Sequence, residues 1–95
     1  MENKIQLKHP TGKKAIRMDQ GKYDLLKKAI LNYLKNAGES THREILNAIE
    51  EDFRKTKMKF EGSLKWHMEW VKLDLEARKE INRIAGSSPI KFKLV

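Results

Sequence analysis

The hydrophobic pattern of the chain changes period twice. Ile5 and Leu7 alternate with Lys4, Gln6 and Lys8, and Ile16 and Met18 alternate with Ala15 and Arg17, on either side of His9-Pro10-Thr11-Gly12-Lys13. Alternation turns one face of a strand inward, so residues 1–19 predict an N-terminal β-hairpin, with Pro10 fitting only its turn or an edge. From Tyr23 the spacing becomes helical, through Leu26, Ile30, Tyr33, Leu34 and Ala37. Asp19 or Gln20 stands near the start, and Gly38 stands where a left-handed cap ends a helix. Thr41 and Glu44 have the spacing of a capping box, in which each side chain bonds the other's backbone N–H, and Ile45, Leu46, Ile49 and Phe53 continue one apolar face. The stretch Arg54-Lys55-Thr56-Lys57-Met58-Lys59-Phe60 lacks a helical stripe and reads as a connector. After Gly62, helical spacing returns from Ser63 to Glu80, so three helices fill residues 22–80. Alternation resumes in Ile81-Asn82-Arg83-Ile84 and Ile90-Lys91-Phe92-Lys93-Leu94, around a turn at Gly86-Ser87-Ser88-Pro89, which predicts a β-ribbon over residues 81–95.

The third helix carries two apolar stripes. Leu64, Met68, Val71 and Leu75 form one, and Trp66, Trp70, Leu73 and Ala77 form another roughly opposite. Between them, Lys65, Glu69, Lys72 and Glu76 make a ladder of alternating charge on one edge, while His67, Asp74 and Arg78 lie on the other. Two accounts of the Trp stripe stay open. In one, the hairpin or the ribbon covers it; in the other, Trp66, Trp70 and Leu73 form an interface for a second copy or a partner.

At 95 residues there is room for one domain with a modest core, spanning 1–95. Without cysteine, neither disulfides nor thiolate-bound metal can hold the fold, so packing must. The N-terminus lacks the apolar run of a signal peptide and no stretch is long enough to cross a bilayer, which predicts a cytoplasmic protein with no membrane partner. The net charge of +8 is uneven. It is concentrated before residue 23, in the connector and in the final ribbon, while the first two helices carry an acidic excess.

The order of elements, and in particular Leu64, Met68, Val71 and Leu75 followed by Ile81, Arg83, the Gly86-Ser87-Ser88-Pro89 turn, Phe92 and Leu94, resembles the ending of winged helix-turn-helix proteins. With its N-terminal hairpin and the run Trp66–Arg78, the chain is similar to small bacterial winged-helix proteins of uncharacterised role. The resemblance implies an α+β winged helix-turn-helix domain. It also implies nucleic-acid binding, with DNA favoured over RNA, in the manner of a transcriptional regulator. The third helix is poorly suited to reading base edges, because Glu69, Asp74 and Glu76 repel phosphate and indoles are not hydrogen-bonding readers. Contacts are therefore expected mainly to the backbone, from Arg54, Lys55, Lys57 and Lys59 of the connector, Ser63, Lys65 and Lys72 of the third helix, and Arg83, Lys91 and Lys93 of the wing. A solvated, merely solubilising set of lysines is the plainer reading of the same charges. A protein-interaction or homodimerisation module is the alternative function.

Catalysis and cofactors are not expected. His9, His42 and His67 lack the mutual spacing of metal ligands, and His67, between the apolar stripes with Asp74 two turns on, reads as a hydrogen-bonded boundary histidine. Ser87 and Ser88 suit a turn, and Gly12-Lys13 lacks the remainder of a phosphate-binding loop.

Overall fold

Strand β1 (Lys4–Gln6) pairs antiparallel with β2 (Arg17–Asp19), placing Ile5 opposite Met18. Met18 is buried and the flanking Lys4, Gln6, Arg17 and Asp19 are exposed, as alternation requires. Leu7 continues the inward face and its N–H donates to the Ile16 carbonyl at 3.0 Å. This structure, a computed structural model, describes residues 3–95; Met1 and Glu2 of the expected hairpin segment lie outside the described residues.

Helix α1 (Gln20–Ala37) begins two residues before the expected start, because Asp19 caps it by accepting the Lys22 N–H at 3.0 Å. Its inward stripe is Tyr23, Leu26, Ile30 and Leu34. Gly38 closes it at φ 78°, a left-handed conformation that glycine adopts without Cβ conflict, and its N–H donates to the Leu34 carbonyl at 2.9 Å.

A two-residue strand, β3 (Ser40–Thr41), follows, and Thr41 also caps helix α2 (His42–Lys55). Both bonds of the capping box form, Glu44 N–H to Thr41 Oγ1 at 3.1 Å and Thr41 N–H to Glu44 Oε1 at 2.9 Å. They hold the Glu44 carboxyl below its ordinary pKa. Helix α2 extends further than the sequence suggests: Arg54 and Lys55 form its last turn, and the connector starts at Thr56. Helix α3 (Leu64–Ala77) is capped by Ser63, whose Oγ accepts the Trp66 N–H at 3.1 Å. It ends at Ala77 rather than Glu80.

Both α2 and α3 end in the same way. Lys57 and Lys79 take positive φ, 55° and 61°, at the position usually given to glycine. The N–H groups of Lys57 and Met58 return to the carbonyls of Arg54 and Phe53, and those of Lys79 and Glu80 to the carbonyls of Glu76 and Leu75. Each pair satisfies carbonyls that a helix end leaves open.

Strands β4 (Ile81–Ile84) and β5 (Lys91–Leu94) form the ribbon, with the Gly86-Ser87-Ser88-Pro89 turn between them, and β3 adds to its edge in the order β3-β5-β4, all antiparallel. Register sorts the side chains. Ser40, Ile81, Arg83, Phe92 and Leu94 share the face towards the helices, while Thr41, Asn82, Ile84, Lys91 and Lys93 share the other.

The architecture is α+β: three helices, an N-terminal hairpin and a small antiparallel sheet. One core cluster runs from Leu7 and Met18 of the hairpin, through all three helices, to Ile81 and Phe92 of the sheet. Each fully buried aliphatic side chain there contributes about 1.5–3 kcal/mol relative to exposure. Among the described residues, no helix is long and apolar enough to cross a membrane.

Candidate functional site

The two halves of α3 have opposite environments. In its C-terminal half the charged residues are inside. Asp74 is fully buried; its Oδ2 accepts the Tyr23 hydroxyl at 2.5 Å and Arg78 Nε at 2.8 Å, and its Oδ1 accepts the backbone N–H of Lys8 at 2.8 Å. Arg78 also reaches the Gln6 carbonyl at 3.4 Å. One carboxylate thus joins α3 to α1 and to the hairpin. Burial and the bond to Asp74 push the Tyr23 hydroxyl well above its ordinary pKa, and the same carboxylate raises that of Arg78. The expectation of a polar edge shared by His67, Asp74 and Arg78 is corrected: Asp74 is a core residue.

On the other edge one rung of the charge ladder forms, Lys72 with Glu76 four residues on, but it lies inside the fold. Lys72 is only 6% exposed, with its Nζ 3.9 Å from the centroid of the Phe92 ring and 3.9 Å from Glu76 Oε1. Arg83 Nη2 lies 3.3 Å from the same Glu76 oxygen, and its guanidinium stands 5.4 Å from the Phe92 ring. Phe92 therefore has a cation on it from α3 and another from β4, and Glu76 offsets both charges. Burial lowers the Lys72 pKa, with Glu76 opposing the shift. Lys72, expected to meet nucleic acid, is instead packed under the ribbon. Arg83 shares the sheet face of that cluster and reaches Glu76, but its side chain remains 47% exposed.

His42, at the start of α2, keeps its ring Nδ1 buried without a hydrogen-bond partner. Burial and the nearby Lys72 hold its pKa below the ordinary histidine value.

In the N-terminal half of α3 an aromatic array reaches the surface. The Phe53 and Phe60 rings stack with centroids 6.3 Å apart, and His67 stands edge-on to Phe60 at 5.0 Å and to Trp66 at 4.9 Å. Trp66 meets Trp70 edge-on at 6.5 Å. Trp66 is 47% exposed, whereas Trp70 and Leu73 are half-buried. The Trp stripe is therefore divided, with Trp70 packed against the core and Trp66 outside it. His67 bonds the Ser63 carbonyl at 2.7 Å. Gly62 makes room for it: φ is 88° there, and a Cβ would lie 3.1 Å from His67 Cε1.

One cation touches this array, and others lie close to it in sequence. Lys22 Nζ lies 5.3 Å from the Phe60 centroid and donates to the Glu61 carbonyl at 2.9 Å. Lys57 and Lys59 in the connector and Lys65 beside Trp66 are exposed, and no carboxylate among the described residues pairs with them. Arg54 pairs with Glu51 on the surface of α2, and Lys55 is exposed one residue on. Ser63 is occupied as a helix cap. Lys91 and Lys93 project from the outer face of the ribbon, opposite to Arg83. The residues expected to meet nucleic acid thus separate: Lys57, Lys59 and Lys65 are exposed in the connector and at the start of α3, Arg54 and Lys55 on the last turn of α2, and Lys91 and Lys93 on the outer ribbon, while Ser63 is a helix cap, Lys72 is buried and Arg83 is paired with Glu76 but still exposed.

Sequence reasoning missed the part of Phe60 and His67 in the array, since Phe60 lies in a segment without periodicity. It also missed an open cleft of about 470 Å³ between α1 and α2, bordered by Ala29, Tyr33, Asn36, Ala48, Asp52 and Lys55. Among the described residues, no group of three or more His, Asp or Glu is placed to hold a metal ion.

A profile described as "Family of unknown function (DUF6958)" matches residues 4–92. The chain belongs to the DUF6958 family. The matched span runs from the first residue of β1 to Phe92, so it includes the Asp74 network, the Lys72–Glu76–Arg83 cluster and the aromatic array. No curated protein and no solved structure matches the chain.

Proposed function

We propose that this DUF6958 protein is a nucleic-acid-binding module of the winged-helix type, and not an enzyme, and that it contacts the phosphate backbone with little regard for sequence. The observation that carries the reading is the set of exposed cations Lys57, Lys59 and Lys65, unpaired with any carboxylate among the described residues, in the connector and at the start of α3 where Trp66 is also exposed. Lys55 and the outer-ribbon residues Lys91 and Lys93 are further exposed cations. The helix and strand order, with a ribbon following the third helix, supports the winged-helix assignment by analogy of fold. A role as a DNA-binding regulator in the cytoplasm goes with this reading.

Titrating the full chain with mixed-sequence oligonucleotides at rising salt tests it. Binding should weaken steeply with salt, because each phosphate neutralised by a cation releases condensed counterion. Lys59→Gln and Lys65→Gln should each weaken binding and flatten the salt slope by about one contact. Absence of binding at low salt, or affinity that ignores salt, would refute the reading.

A protein-interaction module, including a homodimer, is the second reading. Two exposed large apolar side chains favour it, Trp66 on α3 at 47% exposure and Met58 in the connector at 42%. Under it, the mass in solution should exceed that of one chain and fall to it on Trp66→Ala.

A further inference from the structure

The aromatic array points to the kind of nucleic acid. Resting on the nucleic-acid reading above, we infer that Trp66 is a stacking platform for an unpaired base, and that the preferred ligand is a single strand whose phosphates lie along Lys57, Lys59 and Lys65. An indole offers a flat π face and one N–H donor, so it recognises the face of a base better than its edge. In a duplex, base faces are covered by neighbouring bases and only edges line the grooves, whereas unpaired bases can turn outward onto an aromatic ring.

The surroundings of Trp66 favour that occupant over a duplex. Glu69, exposed one turn beyond Lys65 on the same helix, would be brought against the phosphates flanking a groove if α3 entered it. Lys72 and Arg83, which would otherwise extend the contact from α3 to the ribbon, are engaged with Glu76 and the Phe92 ring. A flexible strand needs neither. It requires one exposed ring held at a fixed angle and exposed cations close by, as Lys59 is next to Phe60 and Lys65 next to Trp66 in the chain of Phe60–His67–Trp66 contacts. The edge-on contacts of Trp66 with His67 and Trp70 supply the fixed angle, and His67 is itself held by Ser63 and Phe60.

The same surroundings disfavour a second copy of the chain. A two-fold interface places a patch against itself, so Lys57, Lys59 and Lys65 would confront their own duplicates. A stable dimer also buries about 800 Å² on each partner, far more than one half-exposed indole and Met58 provide. The surface is complementary to an anion that carries π faces.

The test compares a labelled oligothymidylate with a mixed-sequence duplex of equal length, by fluorescence anisotropy at low salt, with sedimentation run in parallel. The single strand should bind more tightly than the duplex. Trp66→Ala should weaken the single strand by about tenfold or more while leaving duplex affinity within about twofold, in line with the loss of one stacked base. Trp66→Phe should restore most of the affinity, and Trp66→Leu, which keeps apolar bulk without a π system, should not. Circular dichroism of each variant checks that the fold persists. Equal affinity for the two ligands, with Trp66→Ala inert and Lys59→Gln still weakening both, would overturn the stacking platform and leave the nucleic-acid reading standing. Failure of both ligands to bind would overturn both readings; a chain dimer that Trp66→Ala dissociates would overturn the stacking platform.

Discussion

The two halves of α3 invert the usual distribution of residue types. Towards its C-terminus Asp74 and Lys72 are buried, and Glu76 shares two cations across the Phe92 ring. Towards its N-terminus Trp66 is left in solvent. An ion pair in a core is weak evidence for net stability, but removing one member is costly because the other is left without its partner. A large aromatic side chain outside the core contributes little to folding and is available for contact. The difference divides the residues of one helix between two roles. The C-terminal half joins the hairpin and the ribbon to the core, and the N-terminal half buries Met68 but leaves Trp66 exposed.

The largest effect should come from breaking the C-terminal half. Asp74→Ala removes the acceptor of the Tyr23 hydroxyl, Arg78 and the Lys8 N–H together. It should destabilise the fold by about 3–5 kcal/mol in denaturant unfolding, a large part of the stability of a domain this small. Tyr23→Phe deletes one donor and leaves the carboxylate its other two partners, so about 1–2 kcal/mol is expected. A loss below about 0.5 kcal/mol for Asp74→Ala would mean that the network is not structural.

The comparison between the indoles is sharper in binding than in stability. Trp70→Ala, in a half-buried residue packed on the core, should cost about 1–3 kcal/mol of stability, and Trp66→Ala under about 1 kcal/mol. Lys72→Met keeps the length of the side chain and removes its charge. Glu76 keeps Arg83 as its partner at 3.3 Å, so Lys72→Met should leave nucleic-acid affinity unchanged and shift stability by about 1 kcal/mol or less. A loss of affinity for Lys72→Met comparable to that for Lys59→Gln would return Lys72 to the contact surface.

The smallest effect concerns pH. Burial and Lys72 disfavour the charged form of His42, so the folded chain takes up this proton at lower pH than the unfolded chain. The stability that neutral His42 contributes is fully present above the unfolded value, about 6.5, and declines as pH falls below it. Urea unfolding of wild type and His42→Gln between about pH 7.5 and pH 5 should show the steeper decline in wild type. Parallel curves would contradict the assignment.

Much of the fold is legible because it rests on local rules. Alternation around residues 5–7 and 16–18, the Thr41–Glu44 capping box, Gly38 and the Leu64–Leu75 stripe each act within a few residues, and each has the structural result that its spacing implies. The boundaries of α2 and α3 are less legible because lysine, not glycine, takes the left-handed position after each. With no glycine to mark the stop, the pattern runs α3 on to Glu80. Strand β3 has two residues, too few to show alternation, and exists because β5 is beside it.

The candidate site is less legible for a different reason. A helical projection puts Lys72 and Asp74 on polar edges because it contains α3 alone. The partners that bring them inside come from elsewhere in the sequence: Tyr23, Lys8, Arg83 and Phe92. Likewise, the connector lysines are visible in the sequence, but the association of Phe60 with His67 and Trp66 depends on the turn at Gly62. Local spacing reports which face of an element is apolar. It does not report which polar residue has a distant partner.

The most direct test of the division within α3 is a map of ¹H–¹⁵N chemical shifts as a single-stranded oligonucleotide is added to the full chain. The account predicts that the Trp66 indole N–H and the amides of residues 57–66 move with saturation. The Trp70 indole should move less, and the Arg83 side chain and the amides around Tyr23 and Asp74 should stay in place. Shifts concentrated at Arg83 and around Asp74, with the Trp66 indole unmoved, would contradict it.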